Sequence, residues 1–424
     1  METIKKEPYV NSLDNYKEIL SLQLSELENV QQLKDWKDFD AEIKNSDYFG
    51  KQLSKTYAFL DKVVDSLTKG KTSSIEKAFS IYNYVRLNFE SKSGNEIFPR
   101  KNIDNVWNTK TGTIADVNLL LIVLLRQAGF DANPVLISKV GHAHAVDNYP
   151  FLRLYNYVAS MVKIDQKSYY LDPAEKYCRF GTLPVYCYNG YARVIEDESY
   201  GVNLSANDLN DKIAYNVNVS RITDTTMTWD VTERLGVLSG AALREKLDND
   251  STYLEHQIKN RLSSLKSETI FIKSKIENRF NSEKDLEIKY TFKQKIDSQS
   301  SIMYINTNFI KFFEKNHFTA SIRTLPIEFP SKLEQSYLLN ILLPKGWKVT
   351  GIPSSTETSA AQGLLHCTSK YNFDTSSRLL TVESKFSRSE TKFPVADYKE
   401  LQQFYETVVQ NQNGVLVINK NNER

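Results

Sequence analysis

The segment Thr111-Gly112-Thr113-Ile114-Ala115-Asp116 places two hydroxyls and a carboxylate at the head of a long apolar run, Val117 to Ala128. Thr113 followed three residues later by Asp116 is a capping signal, so the spacing predicts a helix with Thr113 as N-cap and Ile114 as its first residue. A hydroxyl there becomes a nucleophile only beside a base, and the cap role accounts for Thr113 without one. Further along, Leu154 to Val162 and Ser168 to Asp172 read as strands joined by a turn near Asp165 to Lys167. Asn156 opens this hairpin and Asp172 closes it. Positions 156 and 172 share parity, which predicts that both side chains face one side. Asn156 has no titratable nitrogen, so of the two only Asp172 can orient a base or hold charge.

The remaining chemistry-bearing residues are sparse. Cys178, Cys187 and Cys367 form no metal motif, and the five histidines are His142, His144, His256, His317 and His366. Cys178 and Cys187 flank a loop of eight residues and would be able to pair in an oxidising compartment. Buried free thiols are the simpler expectation. His142 and His144 lie in a connection before Pro150, with no Cys or carboxylate at ligand spacing, so no metal and no cofactor is expected.

These residues need elements to hold them. Apolar side chains at 117, 120, 121, 124, 125 and 128 follow helical spacing, while Leu119, Ile122 and Val123 fill the other side, which makes the helix a buried one. Gly129 can stop it, and Ala132 to Ser138 reads as the strand that follows. Upstream, Asp35 to Lys44, Phe49 to Leu67 and Ser74 to Asn88 read as helices, the last capped at Ser73 or Ser74 with Glu76 in its first turn. Asn15 to Leu27 alternates like a strand that lacks a neighbour.

Taken in order, Tyr82-Asn83-Tyr84-Val85-Arg86, the Ile114 helix and the Asn156–Asp172 hairpin resemble the core of the transglutaminase-like (papain-like) superfamily. The resemblance covers roughly residues 45–200 and takes in Phe180-Gly181-Thr182-Leu183-Pro184 and Cys187-Tyr188-Asn189-Gly190. It is similar in particular to envelope proteins of the Bacteroidetes, in which a degenerate core of this kind is flanked by β-rich domains of unknown function. Active members set a nucleophilic Cys in a Gly-x-Cys-x-Asp segment on the first turn of the helix, where the dipole favours a thiolate. Here Gly112-Thr113-Ile114-Ala115-Asp116 puts Ile114 at that position. The family's His starts one strand and its Asp ends the next, positions the resemblance assigns to Asn156 and Asp172. It therefore implies loss of nucleophile and base, with only the orienting carboxylate retained. It also implies a periplasmic or cell-envelope location.

The chain has 424 residues, with 54 Lys+Arg against 52 Asp+Glu and no basic stripe, so nucleic-acid binding has no support in composition. No apolar run approaches the roughly 18 residues of a membrane span, and the start Met1-Glu2-Thr3-Ile4-Lys5-Lys6 carries no signal-peptide core. Beyond Asn203, strands are expected at 213–219, 225–231, 269–275, 286–293, 337–343, 378–387 and 415–418, with helices over 239–265 and 396–409. The fold class is α+β, a transglutaminase-like core followed by an antiparallel β-sandwich with helical insertions. The expected domains are a strand and helix segment 1–44, read as a remnant of a preceding β domain, a core 45–203 and a β domain 204–424. The expected function is an inactive member that binds an unidentified peptide, glycan or envelope protein in a cleft at Thr113, Ile114, Asn156 and Asp172, or acts structurally. Two alternatives stand beside it. One is a thiol peptidase or acyl transferase using a displaced Cys178 or Cys187 with His142 or His144. The other is an interaction module acting through 204–424, where the 24 Tyr and 21 Phe of the chain would supply contacts.

Overall fold

Helix formation at the centre of the chain starts from two side chains. Thr113 Oγ1 accepts the Asp116 N–H at 3.2 Å and Asp116 Oδ2 accepts the Thr113 N–H at 2.7 Å, the reciprocal pair of a capping box. A second box, Ser73 with Glu76, opens the earlier helix Ser74–Asn88. The computed structural model describes residues 5–17, 35–92, 94, 96–265 and 267–420. It divides into two units, Val10–Ala206 and Asn207–Arg424, and the second also includes Glu7–Tyr9.

In the first unit the helices are α1 (Trp36–Asn45), α2 (Gly50–Leu53), α3 (Ala58–Thr68), α4 (Ser74–Asn88), α5 (Ile103–Thr109) and α6 (Ile114–Gln127). Strands β1 (Glu90–Lys92) and β2 (Thr111–Thr113) pair in parallel just before α6. A sheet of five strands follows, made by β3 (Asp131–Ile137), β4 (Tyr157–Ile164), β5 (Lys167–Leu171), β6 (Gly190–Val194) and β7 (Tyr200–Leu204) in the order β5-β4-β3-β6-β7. Every residue of α6 from Ile114 to Leu125 is buried. It packs on β3 and β4 and on α3, α4 and α5, so the all-round apolar pattern reflects a helix enclosed by neighbours. Gly129, at φ +85°, ends it in the left-handed region that glycine adopts without strain.

The second unit is built on an eight-stranded sheet. Its strands are β8 (Asn210–Ile222), β9 (Thr226–Leu235), β10 (Thr269–Glu277), β11 (Leu286–Lys295), β14 (Lys332–Leu342), β16 (Thr356–Ala360), β17 (Leu365–Asp374) and β18 (Leu379–Arg388). Between them run β12 (Ile302–Asn306), β13 (Ile327–Glu328) and β15 (Trp347–Gly351), and after them β19 (Lys392–Phe393) and β20 (Val415–Lys420). The large sheet has the order β10-β11-β9-β8-β14-β18-β17-β16, and β12-β20-β15 form a small one. Helices α7 (Val237–Asn249), α8 (Tyr253–Ser263) and α9 (Tyr398–Asn411) complete the unit. Val217, Phe292 and Leu339 of the large sheet share one core with Ile305 and Ile418 of the small sheet and Phe404 of α9. The layers are therefore two sheets of unequal size plus a helix.

Several expectations change in detail. Antiparallel pairing dominates, but β8 and β14 run parallel, with Asn210 opposite Lys332. The helix expected over 239–265 is two, interrupted at Asp250, whose Oδ1 accepts from Thr252 N and Oγ1 at 2.9 and 2.7 Å. Such a local side-chain bond competes with helix continuation. The helix expected over 49–67 is likewise α2 and α3. Of the strand expected over 15–27, Asn15 and Tyr16 lie in a short 3₁₀ turn, Leu13–Tyr16, and from residue 18 on it lies outside the described residues.

Candidate functional site

Asp172 follows β5 and has no exposed surface. Its Oδ1 accepts Asn118 Nδ2–H at 2.9 Å and the Ala174 N–H at 3.1 Å, while Oδ2 is bonded by the Tyr157 hydroxyl. Asn118, one turn into α6, also donates to the Ile114 carbonyl at 3.1 Å and accepts Ser160 Oγ–H at 2.9 Å. The carboxyl is thus fastened to the start of the buried helix and to β4. Burial pushes its pKa up to about 7, against the hydrogen bonds from Tyr157, Asn118 and Ala174 and helped by the nearby charge of Glu175. Burial first, and then the Asp172 charge, raises the Tyr157 and Tyr186 phenols, so both stay protonated. Their oxygens are 3.2 Å apart, and Tyr186 donates to Glu175 Oε1 at 2.5 Å. Lys139 Nζ sits 5.0 and 5.1 Å from the centroids of the two rings.

The group beside Asp172 is Tyr157, where position 156 was expected. Ser160 stands opposite Leu171 and Ile164 opposite Lys167, so odd positions of β4 share a face with even positions of β5. Asp172 therefore shares its face with Ala159 and Tyr157. Asn156 precedes the strand, with its N–H on the Ile137 carbonyl at 3.0 Å and its Oδ1 accepting the Lys139 N–H at 2.9 Å. Equal parity implied one face only if the turn contributed an even offset, and the turn at Asp165 and Gln166 (φ +50° and +64°) sets an odd one. Counting outward from that two-residue turn would have identified Tyr157. Tyr157 is the first residue of β4, one position after Asn156, to which the resemblance assigned the base.

Ile114 is the first residue of α6 and 8% exposed. Of the residues expected to line a cleft with Ile114, Thr113 turns to the cap, Asn156 to Lys139, and Asp172 is enclosed. Cys178, Cys187 and Cys367 are buried free thiols. Burial, followed by the charge of Asp172, pushes the first two far above the ordinary thiol pKa, and a protonated thiol is a poor nucleophile. His142 Nδ1 lies 3.3 Å from Ser138 Oγ, and the His144 N–H donates to Asn15 Oδ1 at 2.8 Å. Neither is among the groups bonded to Asp172. Among the described residues, no group of three His, Cys, Asp or Glu side chains could hold a metal, and no helix is long and apolar enough to cross a membrane.

Comparison with known proteins agrees with this architecture. Residues 61–173 match the transglutaminase-like superfamily, and residues 301–418 match a domain of unknown function with a solved structure (DUF3858). The fold resembles the crystal structure of a candidate protease from Parabacteroides distasonis, with TM-score 0.51 and 14% identity, over 90% of this chain. This chain spans 58% of the length of that one. No curated protein matches. The core is transglutaminase-like and the fold is α+β.

Proposed function

We propose that this chain is a catalytically inert transglutaminase-like protein of the bacterial cell envelope, with a binding or structural role. The carrying observation is the Tyr157 hydroxyl bonded to Asp172, which fills the base's place with a group that stays protonated. A transglutaminase-like centre needs a thiolate to attack and a base to move the proton. Ile114 supplies neither electrons nor a proton acceptor, and Tyr157 keeps its proton at physiological pH. The fold likeness to a candidate protease raises the competing reading, a peptidase that uses a displaced thiol. Burial of Cys178 and Cys187 argues against that reading. The envelope location rests on the resemblance to Bacteroidetes proteins, and fractionation of cells carrying the native gene tests it.

The decisive assay is turnover of peptide, amide and acyl-donor substrates by the purified chain, with and without iodoacetamide. No turnover is expected, and alkylation should change nothing. Thiol-dependent hydrolysis that disappears on Cys187→Ser or Cys178→Ser would establish the peptidase instead.

A further inference from the structure

Lys110 ends α5 in the left-handed region, at φ +55°. Its ammonium lies against two ring faces, 3.6 Å from the Trp107 centroid and 4.4 Å from that of Phe89. Among the described residues no ion pair joins it to a carboxylate. Ring faces attract a cation but bring no net negative charge. Burial lowers the Lys110 pKa from the ordinary lysine value, and no neighbouring carboxylate offsets that effect. A partly dehydrated cation of this kind gains from any anion that can reach it.

The half-buried Lys110 borders a cavity of about 490 Å³ between the end of α4, β1, the start of β2 and the turn 173–176. That volume suits a small organic molecule. The wall carries three cations, Arg86, Lys110 and Lys176, against one carboxylate, the exposed Glu90. Arg86 is 7% exposed and donates to the Lys176 carbonyl at 3.1 Å and the Cys178 carbonyl at 3.2 Å. Ser91 Oγ donates to the Ala174 carbonyl at 2.8 Å, and the Glu90 N–H to the Lys110 carbonyl at 2.9 Å. These bonds fix β1 and the turn around the cavity without using the Lys110 ammonium. Beside it, Lys101 Nζ donates to the Thr111 carbonyl at 2.9 Å and to Thr111 Oγ1 at 3.0 Å, which adds a fourth positive charge.

The geometry points to this cavity as a ligand site of the first unit, taking a small organic oxyanion whose carboxylate or phosphate pairs with Lys110. The rest of the ligand fills the space between β1 and the turn. Thr111 leads into the α6 cap and Pro173 follows Asp172, so the cavity adjoins the degenerate centre without needing its chemistry. The inference rests on the binding role proposed above and names its ligand class.

Acetylation by sulfosuccinimidyl acetate, mapped by mass spectrometry on the full chain, reads Lys110 directly. N-acetylglycine and glycerol 3-phosphate are the anionic probes, N-acetylglycinamide is the neutral one, and sodium chloride at equal ionic strength controls for screening. At least one anion should slow acetylation of Lys110 by about fivefold or more while leaving the exposed Lys62 unchanged. Protection by N-acetylglycine alone assigns a carboxylate ligand, and protection by glycerol 3-phosphate alone assigns a phosphate. Calorimetric binding of the protecting anion should weaken by about tenfold or more in Lys110→Gln and persist in Lys110→Arg, which keeps the charge. If Lys110→Gln fails to fold, protection of the wild-type lysine still decides. The proposal is overturned if neither anion protects Lys110, if the amide or chloride protects it equally, or if Lys110→Gln binds as tightly as wild type. Turnover assays read catalytic inertness separately, so the two readings can fail independently.

Discussion

Between Asp172 and Glu175 stand two phenols: the Tyr157 hydroxyl is bonded to Asp172 Oδ2, Tyr186 donates to Glu175 Oε1, and the two phenol oxygens lie 3.2 Å apart. Burial keeps both phenols protonated. Burial also pushes the Asp172 carboxyl up to about 7, so it takes up a proton as pH falls through neutrality. A folded pKa above the unfolded one means that the native state holds the proton more tightly. The resulting stability is fully present below the ordinary carboxylate range and is lost as pH rises through about 7. Wild type minus Asp172→Asn in thermal melts should therefore show stability falling between about pH 4 and pH 7, by on the order of a few kcal/mol. A flat difference would mean that Asp172 titrates normally. The same geometry specifies a repair. Ile114→Cys with Tyr157→His should react with iodoacetamide about tenfold faster than Ile114→Cys alone, since a His at 157 would lie against Asp172 and the thiol at a helix start. Ile114→Cys with Asn156→His should show no such gain, because position 156 faces Lys139.

At the scale of the element, Asp116 holds more than its own helix. It is 1% exposed and accepts the N–H groups of Arg100 at 2.9 Å, Lys101 at 3.0 Å and Thr113 at 2.7 Å. Thr113→Ala removes a cap and should cost about 1 kcal/mol, whereas Asp116→Ala strands three donors and should cost about 2–4 kcal/mol, read from urea unfolding. Gly112→Ala should also destabilise, since a Cβ there would stand 2.6 Å from Asp116 Cβ. These caps were legible because their partners lie within a turn of one another, as were the buried helix, the Asp165–Gln166 turn and most long strands. The identity of Tyr157 was within reach of the same local signals but needed the turn's offset as well as the strands' parity. The parallel β8·β14 pair was not legible, because its partners are distant in sequence and alternation does not report strand direction. Short strands such as β12 were also missed. Five residues with an uncharged alternating pattern give too little period to separate from loop.

For the whole molecule, the division into units does not follow the order of the chain. Glu7–Tyr9 belongs with Asn207–Arg424, although the residues just after it belong with the transglutaminase-like core. The Glu7 carboxylate accepts the Thr324 and Leu325 N–H groups at 3.0 and 3.1 Å, and the Tyr9 carbonyl accepts the Glu328 N–H at 2.7 Å. The Tyr9 ring meets Phe329 at 4.8 Å and Phe318 at 5.5 Å. Phe329 is 2% exposed and stands edge-on to Phe393 of β19 at 5.9 Å, so Tyr9 extends an aromatic cluster belonging to the second core. Truncating that ring removes partly buried aromatic area and its ring contacts with Phe329, Phe318 and His317, a loss of about 1–3 kcal/mol. Tyr9→Ala should therefore destabilise the second unit while sparing the first. Hydrogen exchange should report this as faster exchange at Ile327 to Phe329 and at β19, with α6 and β3 unchanged. Equal loss of protection in α6 would place Tyr9 with the first unit instead. A polar, short N-terminal sequence announces no such role, because the physical partner of Tyr9 is a strand more than three hundred residues away.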